Sequence, residues 1–467
     1  MTAPTVLISG AGLGGLFLAI LLERANIPYQ VFEKAPHVVP LGASIGINAN
    51  ILPAFEQLGL MEEIERIGRR CMSIGLYDEN LKPIGEFDLS CFKTKAGYYS
   101  LIFHRPDLYD LLLSRIPAEK ISFNKKIVSY EQDKDGVTIH TSDNETFHGD
   151  ILVGADGTYS TIRKIMLERL SKTNQLPLSD RKGLRATHAC VIGTTKPLDP
   201  EKYPLLKDNS AYFSNVVGHA KAHTWMLMTL QNNRMCYLIE EQLDSETMND
   251  VTALRGKWLT PEAKEKMIKA TYNLPIRHAH HAGLAAHKDD QRTLGDLIEN
   301  TDPEMVSTIL LEEHLLETWY DGRTVLLGDA CHKMNPSTGQ GAVNAFQDAV
   351  VLVNCLYDLS GDDDGKGPLS LEKITEAFKD YRDQRFSQAK FQLENANMIA
   401  RVMNGQTWSD KILRVLITNT PNWIAQKMVL SKAGYRPQIN FLPRIPDPPN
   451  LDVVQQKPSK RYTEMRM

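Results

Sequence analysis

Long apolar runs are missing from this 467-residue chain, and so is any large excess of one charge. No stretch reaches the eighteen or so uninterrupted apolar residues that a membrane-spanning helix requires, so no membrane span is expected. The nearest approach, residues 412–430, is broken by Arg414, Asn419, Thr420, Pro421, Asn422, Gln426 and Lys427. That pattern predicts a packed pair of amphipathic helices and leaves room for a weak association with a membrane surface. A formal charge of −4 provides no basic field, so a nucleic-acid partner is not expected. The six cysteines (Cys71, Cys91, Cys190, Cys236, Cys331, Cys355) include no Cys-x-x-Cys pair. Their scatter argues against a zinc site or a disulfide framework and for a reducing, cytoplasmic setting. No signal peptide is read ahead of the first strand. His278, His280, His281 and His287 cluster without cysteine or acid partners at ligand spacing, so they read as a solvated loop and no metal is expected. No internal repeat and no Ser-His-Asp set stands out.

What is present begins at the N-terminus. Residues 5–9 are an apolar, β-branched run that leads into Gly10, Gly12 and Gly15, the spacing Gly-x-Gly-x-x-Gly, and residues 16–22 follow as a helical segment. A second strand, residues 29–33, ends on Glu33. In such a unit Gly10 permits the tight turn, Gly12 lets a pyrophosphate approach the backbone, and Gly15 lets helix pack on strand. The helix N-terminus offers free N–H groups to phosphates, and Glu33 is placed to hydrogen-bond a ribose. This is a dinucleotide cradle; it does not say which dinucleotide.

The length predicts two or three domains, and 42% hydrophobic with 24% charged residues is ordinary for a globular protein. Closely spaced glycines at Gly42 and Gly46 allow backbone to run against a flat ligand. Residues 54–67 read as an amphipathic helix. Strand-like pieces near residues 74–77, 84–89 and 99–103 depart from the βαβ rhythm and predict a separate antiparallel sheet. Arg105 stands just before a helix opened by Pro106 and Asp107, where it is either an ion-pair residue or an anion ligand. A hairpin is expected around Lys134-Asp135, then a buried strand leading to Asp156-Gly157, Ser160 and Arg163. Residues 184–240 are strand-rich, residues 245–272 helical, and residues 301–319 are read as helical again. Nucleotide-binding chemistry returns at Gly328-Asp329 and at Gly339-Gln340-Gly341-Ala342, so the middle block reads as an insertion. An acidic loop at residues 361–365, a long polar helix over 371–403 and a proline-rich tail complete the chain.

Taken together, Gly10, Gly12, Gly15 and Glu33, the stretch through Gly46, Arg105, Asp156-Gly157 and Gly328-Asp329 through Gly341-Ala342 make the chain resemble the single-component FAD-dependent monooxygenases. It is most similar to their fungal secondary-metabolism branch, which the closing residues 436–443 also resemble. The resemblance implies a mixed α/β fold: a Rossmann-like FAD-binding domain with an inserted antiparallel-sheet substrate domain and a C-terminal helical region. The expected divisions are residues 1–70, 98–183 and 321–360 for FAD, 71–97 and 184–320 for substrate, and 361–467 for helices and tail. Glu33 would hold the adenosine ribose, Gly46 and Arg105 the flavin–pyrophosphate region, Asp329 the ribityl-pyrophosphate part, and Gly341-Ala342 the isoalloxazine. Asp156 belongs to a motif tied to both FAD and transient NAD(P)H binding. Arg185 and Tyr212 are the side chains carried as catalytic, each with an ordinary structural role as the alternative. The implied activity is hydroxylation or epoxidation of a small aromatic or terpenoid-like molecule with NAD(P)H and O2 through a flavin C4a-hydroperoxide. The alternatives are an FAD-dependent reductase or dehydrogenase without oxygen insertion, or a non-catalytic binding protein on the same fold.

Overall fold

The computed structural model describes residues 3–37, 44–218, 223–243, 248, 250–277, 291–359, 369–405 and 407–461. The four histidines at 278–287, the acidic loop at 361–365 and Gly42 lie outside the described residues. Strand Val6–Ser9 is buried at every position, as an apolar run flanked on both sides must be. It pairs in parallel with Tyr29–Phe32 and with Ile151–Gly154. Ile121–Ser122 extends one edge, Thr324–Leu326 the other, and Tyr320–Asp321 adds an antiparallel edge strand. Helix Leu13–Ala25 covers this six-stranded sheet and ends at Asn26, whose left-handed conformation (φ 54°) closes the last turn. Helix Gly341–Leu359 packs beside it through Phe17, Phe55 and Phe346, with ring centroids 4.8 to 5.5 Å apart.

A second, eight-stranded sheet forms the roof. Its order runs His332–Lys333, Ser307–Leu315, Arg185–Thr194, Met235–Gln242, His223–Thr229, Phe213–Val217, Ser73–Asp78 and Pro83–Asp88. It is antiparallel except where Phe213–Val217 meets Ser73–Asp78. A four-stranded sheet containing Ser44–Ile47 and Ser100–His104 lies between the two, and the expected hairpin at Lys134-Asp135 sits in a three-stranded meander.

Two sequence expectations are corrected. Residues 301–319 are not helical: Ser307–Leu315 is a strand that pairs along Arg185–Thr194. The Leu-Leu-Glu-Glu composition suits a helix, but a free sheet edge and its row of backbone partners outweigh that weak local preference. Residues 54–67 form two short helices, Leu52–Gln57 and Met61–Ile67, separated at Gly59, whose φ of 74° breaks the helix. The C-terminal helix pair is present as Trp408–Thr418 and Asn422–Ser431, after a 34-residue helix, Leu371–Asn404.

Candidate active site

The parallel strands of the six-stranded sheet deliver four loops to one edge. Gly10 follows Ser9, Glu33 follows Phe32, Ala155-Asp156 follows Gly154, and Leu327-Gly328-Asp329 follows Leu326. The crevice beyond the carboxyl ends of such strands is where open α/β sheets bind ligands. Glu33 is fixed in it by two backbone donors, Ala11 N–H at 2.8 Å and Ala35 N–H at 2.9 Å.

The glycines separate into two kinds. A Cβ on Gly15 would sit 2.1 Å from the Gly10 carbonyl oxygen, and one on Gly10 (φ 104°) would sit 2.6 Å from that of Ala155. Those two serve packing. At Gly12, Gly46, Gly157, Gly339 and Gly341 an added Cβ meets nothing within 4 Å, and all five line the same cavity. A bare backbone rim kept open from five separate positions is the shape that a flat, phosphate-bearing ligand requires. Asp156 adds to the fit. Its Oδ2 caps helix Thr161–Lys172 by accepting from Thr161 N–H (2.7 Å) and Ile162 N–H (3.2 Å), while its Oδ1 is buried with no hydrogen-bond partner among the described residues. Burial raises its carboxyl above the ordinary range.

Asp329 accepts from Lys333 Nζ at 2.6 Å and Thr158 Oγ1 at 3.2 Å. Burial pushes its carboxyl up, but Lys333, His332 and Thr158 together outweigh that and hold it below the ordinary value. Arg163 ties this loop to the Asp156 loop, donating to the Ala330 carbonyl at 3.1 Å and the Thr158 carbonyl at 2.6 Å. Beneath it lies a buried polar cluster whose Asp348 and Arg385 sequence reasoning missed. Asp348 accepts from His332 Nε2 at 2.6 Å, Arg385 Nε at 2.7 Å and Gly328 N–H at 2.9 Å, and the three side chains are essentially inaccessible. His332 and Arg385 overcome the burial of Asp348 and hold its carboxyl at about 2. Cys331 lies close enough to join His332 and Asp348 around a metal ion. Asp348 already uses both oxygens on Arg385, His332 and Gly328, so the cluster is committed to anchoring the loop. Arg385 stands far away in sequence and carries no motif, so no local signal could have found it.

The cavity measures about 1400 Å³. Its floor includes Gly12, Gly46, Arg105, Asp329, Gly341 and Ala342. Arg105, the first residue of helix Arg105–Leu113, is desolvated there, which lowers its pKa, while Asp329 favours its charge. Its roof is apolar: Ile192, Phe213, Met226, Met228 and Leu238. Strand alternation selects them, because the intervening Val191, Trp225, Leu227, Tyr237 and Ile239 pack into the core on the far side. Gly10, Gly15, Glu33 and Asp156 stand behind the lining rather than in it.

The two side chains carried as catalytic are not among the cavity-lining residues. Arg185 is 54% exposed and faces Glu313 at 3.6 Å. Tyr212 immediately precedes Phe213, and since neighbouring residues face opposite sides it turns toward Tyr77 and Arg277 on the far face. Burial raises its phenol further above the ordinary value.

A family model described as FAD binding domain matches residues 3–182 and 277–365. The chain belongs to the FAD-dependent monooxygenases. Its cofactor is therefore FAD. The chain is 29% identical over 431 residues to 6-hydroxynicotinate 3-monooxygenase of Bordetella bronchiseptica, covering 90% of this chain and 94% of that protein. It is 30% identical over 414 residues to a FAD-dependent monooxygenase of Penicillium brasilianum, covering 85% and 78%. Fungal relatives of this kind fit a secondary-metabolism flavoprotein. Among solved structures, Klebsiella pneumoniae HpxO complexed with FAD and uric acid shares the fold, with a TM-score of 0.69 at 20% identity over 92% of this chain and 96% of that one.

Proposed function

We propose that this FAD-dependent monooxygenase uses NAD(P)H and O2 to hydroxylate or epoxidise a small, largely apolar organic molecule, aromatic or terpenoid-like, held between the FAD floor and the roof sheet. The observation that carries the proposal is one cavity joining a glycine-lined, charged floor to an apolar roof. FAD, when bound, supplies hydride acceptance and oxygen activation. The residues do the rest. Glu33 accepts hydrogen bonds from the adenosine ribose. Gly12 and the N-terminus of helix Leu13–Ala25 would receive the diphosphate, and Arg105 and Asp329 would hold the middle of the cofactor. Gly46 and Gly341-Ala342 would hold the flavin end of the cofactor, and the N-terminus of helix Gly341–Leu359 would favour negative charge there. Asp156 serves both FAD and the transient nicotinamide donor. The roof excludes water and orients the substrate. We assign no catalytic role to Arg185 or Tyr212. The divisions at residues 1–70, 98–183 and 321–360 for FAD, and 71–97 and 184–320 for substrate, belong to the same proposal. So does a cytoplasmic setting, consistent with six buried, unpaired cysteines.

The test is to purify the protein with FAD and follow NAD(P)H and O2 consumption with apolar aromatic and terpenoid substrates, analysing products by mass. Substrate-stimulated NAD(P)H oxidation with a product heavier by one oxygen atom is expected. NAD(P)H oxidation that yields only reduced acceptor, with no oxygenated product, would instead make the protein a reductase.

A further inference from the structure

The C-terminal helix pair is built inside out. In helix Trp408–Thr418 the buried side chains are Asp410 and Arg414. Asp410 accepts from Arg401 Nε at 2.8 Å, and Arg414 donates to the carbonyls of Val402 (2.6 Å) and Gly405 (2.7 Å). The apolar side chains face outward: Trp408 is 76% exposed, Leu416 65%, Val415 59% and Ile412 51%. Their spacing places them on one helical face. The next helix adds Trp423 at 71% and Met428 at 40%. Of the fourteen large hydrophobic side chains exposed among the described residues, six fall in this one segment, which marks a site of contact rather than ordinary surface scatter.

The charge around the patch points to its occupant. Of the four cations in residues 408–432, Arg414 is buried on backbone carbonyls and Lys432 turns to the cavity, leaving Lys411 and Lys427 beside the patch; the one acid, Asp410, is buried and neutralised by Arg401. Lys411 and Lys427 are exposed and pair with no described residue. An apolar face with tryptophans and free lysines suits an anionic lipid surface, where rings sit at the headgroup level and lysines meet lipid charge. A second copy docking through the same face by two-fold symmetry would bring two cationic rims together. Position gives the surface a use. Ile417, Thr418, Thr420, Gln426, Val429 and Lys432 of this segment line the active-site cavity. The apolar patch therefore borders the part of the cavity wall that this segment supplies.

We propose that the outward face of helices Trp408–Thr418 and Asn422–Ser431 docks onto an anionic lipid bilayer without crossing it, bringing this end of the cavity to the membrane so that an apolar substrate enters from lipid. The entry route rests on the function proposed above; the docking does not. Among the described residues no helix is long and apolar enough to span a bilayer, so the attachment is peripheral.

The FAD-loaded full chain is sedimented with vesicles of phosphatidylcholine alone and of phosphatidylcholine with phosphatidylserine. Binding to the serine-containing vesicles, weakened by salt, is expected. A Leu416→Glu/Trp423→Glu variant should lower the bound fraction about tenfold, with flavin content and turnover of a detergent-free soluble substrate unchanged, since neither residue lines the cavity. Lys411→Glu/Lys427→Glu should weaken binding to the serine-containing vesicles alone. No binding to either vesicle, or binding that survives both variants, overturns the proposal. So does a dimer in light scattering that the Leu416→Glu/Trp423→Glu variant dissociates while vesicles are ignored, which assigns the face to a second copy. Vesicle binding is read without turnover, so its loss is distinguishable from failure of the monooxygenase reading.

Discussion

The floor and the roof of the cavity each bury a carboxylate, and the two are treated in opposite ways. Asp348, under the floor, has His332, Arg385 and the Gly328 N–H on its oxygens and is held at about 2. Among the described residues, Glu240, in roof strand Met235–Gln242, has only the Asn404 side-chain amide on Oε2, while its Oε1 is buried without a partner. Burial drives its carboxyl up to about 8. The floor keeps charge because it must hold loops in place around an anionic cofactor. The roof strand carries its acid largely protonated at neutral pH, because one amide among the described residues does not offset its burial.

The largest effect should come from breaking the compensated side. Asp348→Ala leaves Arg385 and His332 buried without their anion and should cost about 3–5 kcal/mol, read by urea denaturation, with loss of flavin as the Gly328-Asp329 loop loosens. The glycine contrast comes next. Gly15→Ala forces a Cβ against the Gly10 carbonyl and should destabilise the apoprotein by about 1–3 kcal/mol. Gly12→Val, whose side chain enters open cavity, should leave apoprotein stability nearly unchanged and abolish flavin uptake; equal stability losses in both would erase the distinction between packing and ligand-facing glycines. Asp329→Ala should weaken flavin retention roughly 10- to 100-fold with the fold intact, and unchanged flavin occupancy would contradict its role.

The uncompensated side should respond to pH. Glu240 has a folded pKa above its unfolded value of 4.5, so the folded chain holds a proton that the unfolded chain has released. Its contribution to stability is full below pH 4.5 and is lost as pH rises from there to about 8. Glu240→Gln should flatten that slope, raising the melting temperature by about 2 °C or more at pH 8 and little at pH 4.5. A parallel shift at both pH values would show that the acid is ionised in the folded protein. The smallest effect is expected from Met226→Ala, which should raise KM up to ~10-fold for an apolar substrate while flavin content stays the same.

The elements that were legible in the sequence are those whose requirements are local. A turn at φ 104° needs Gly10, helix-on-strand packing needs Gly15, and an acid at the end of a strand needs only its place in the strand. The hairpin at Lys134-Asp135, the helix opening at Arg105 and the long helix Leu371–Asn404 were readable for the same reason. Strand Ser307–Leu315 was not, because its conformation is set by Arg185–Thr194 lying beside it. Nor was the facing of Phe213 rather than Tyr212, which depends on which side of the roof sheet meets the cavity.

By itself, then, the sequence determined the order of the cofactor motifs and the backbone freedom each one needs, since backbone sterics and strand-end geometry act over a few residues. Tertiary structure alone decided what stands between and behind them. It brought Arg385 from a distant helix to Asp348, left Glu240 with no counter-ion among the described residues, and turned the apolar face of Trp408–Thr418 outward by engaging Asp410 and Arg414 inside. Burial and charge compensation are properties of assembled neighbours, and those neighbours are supplied by the fold.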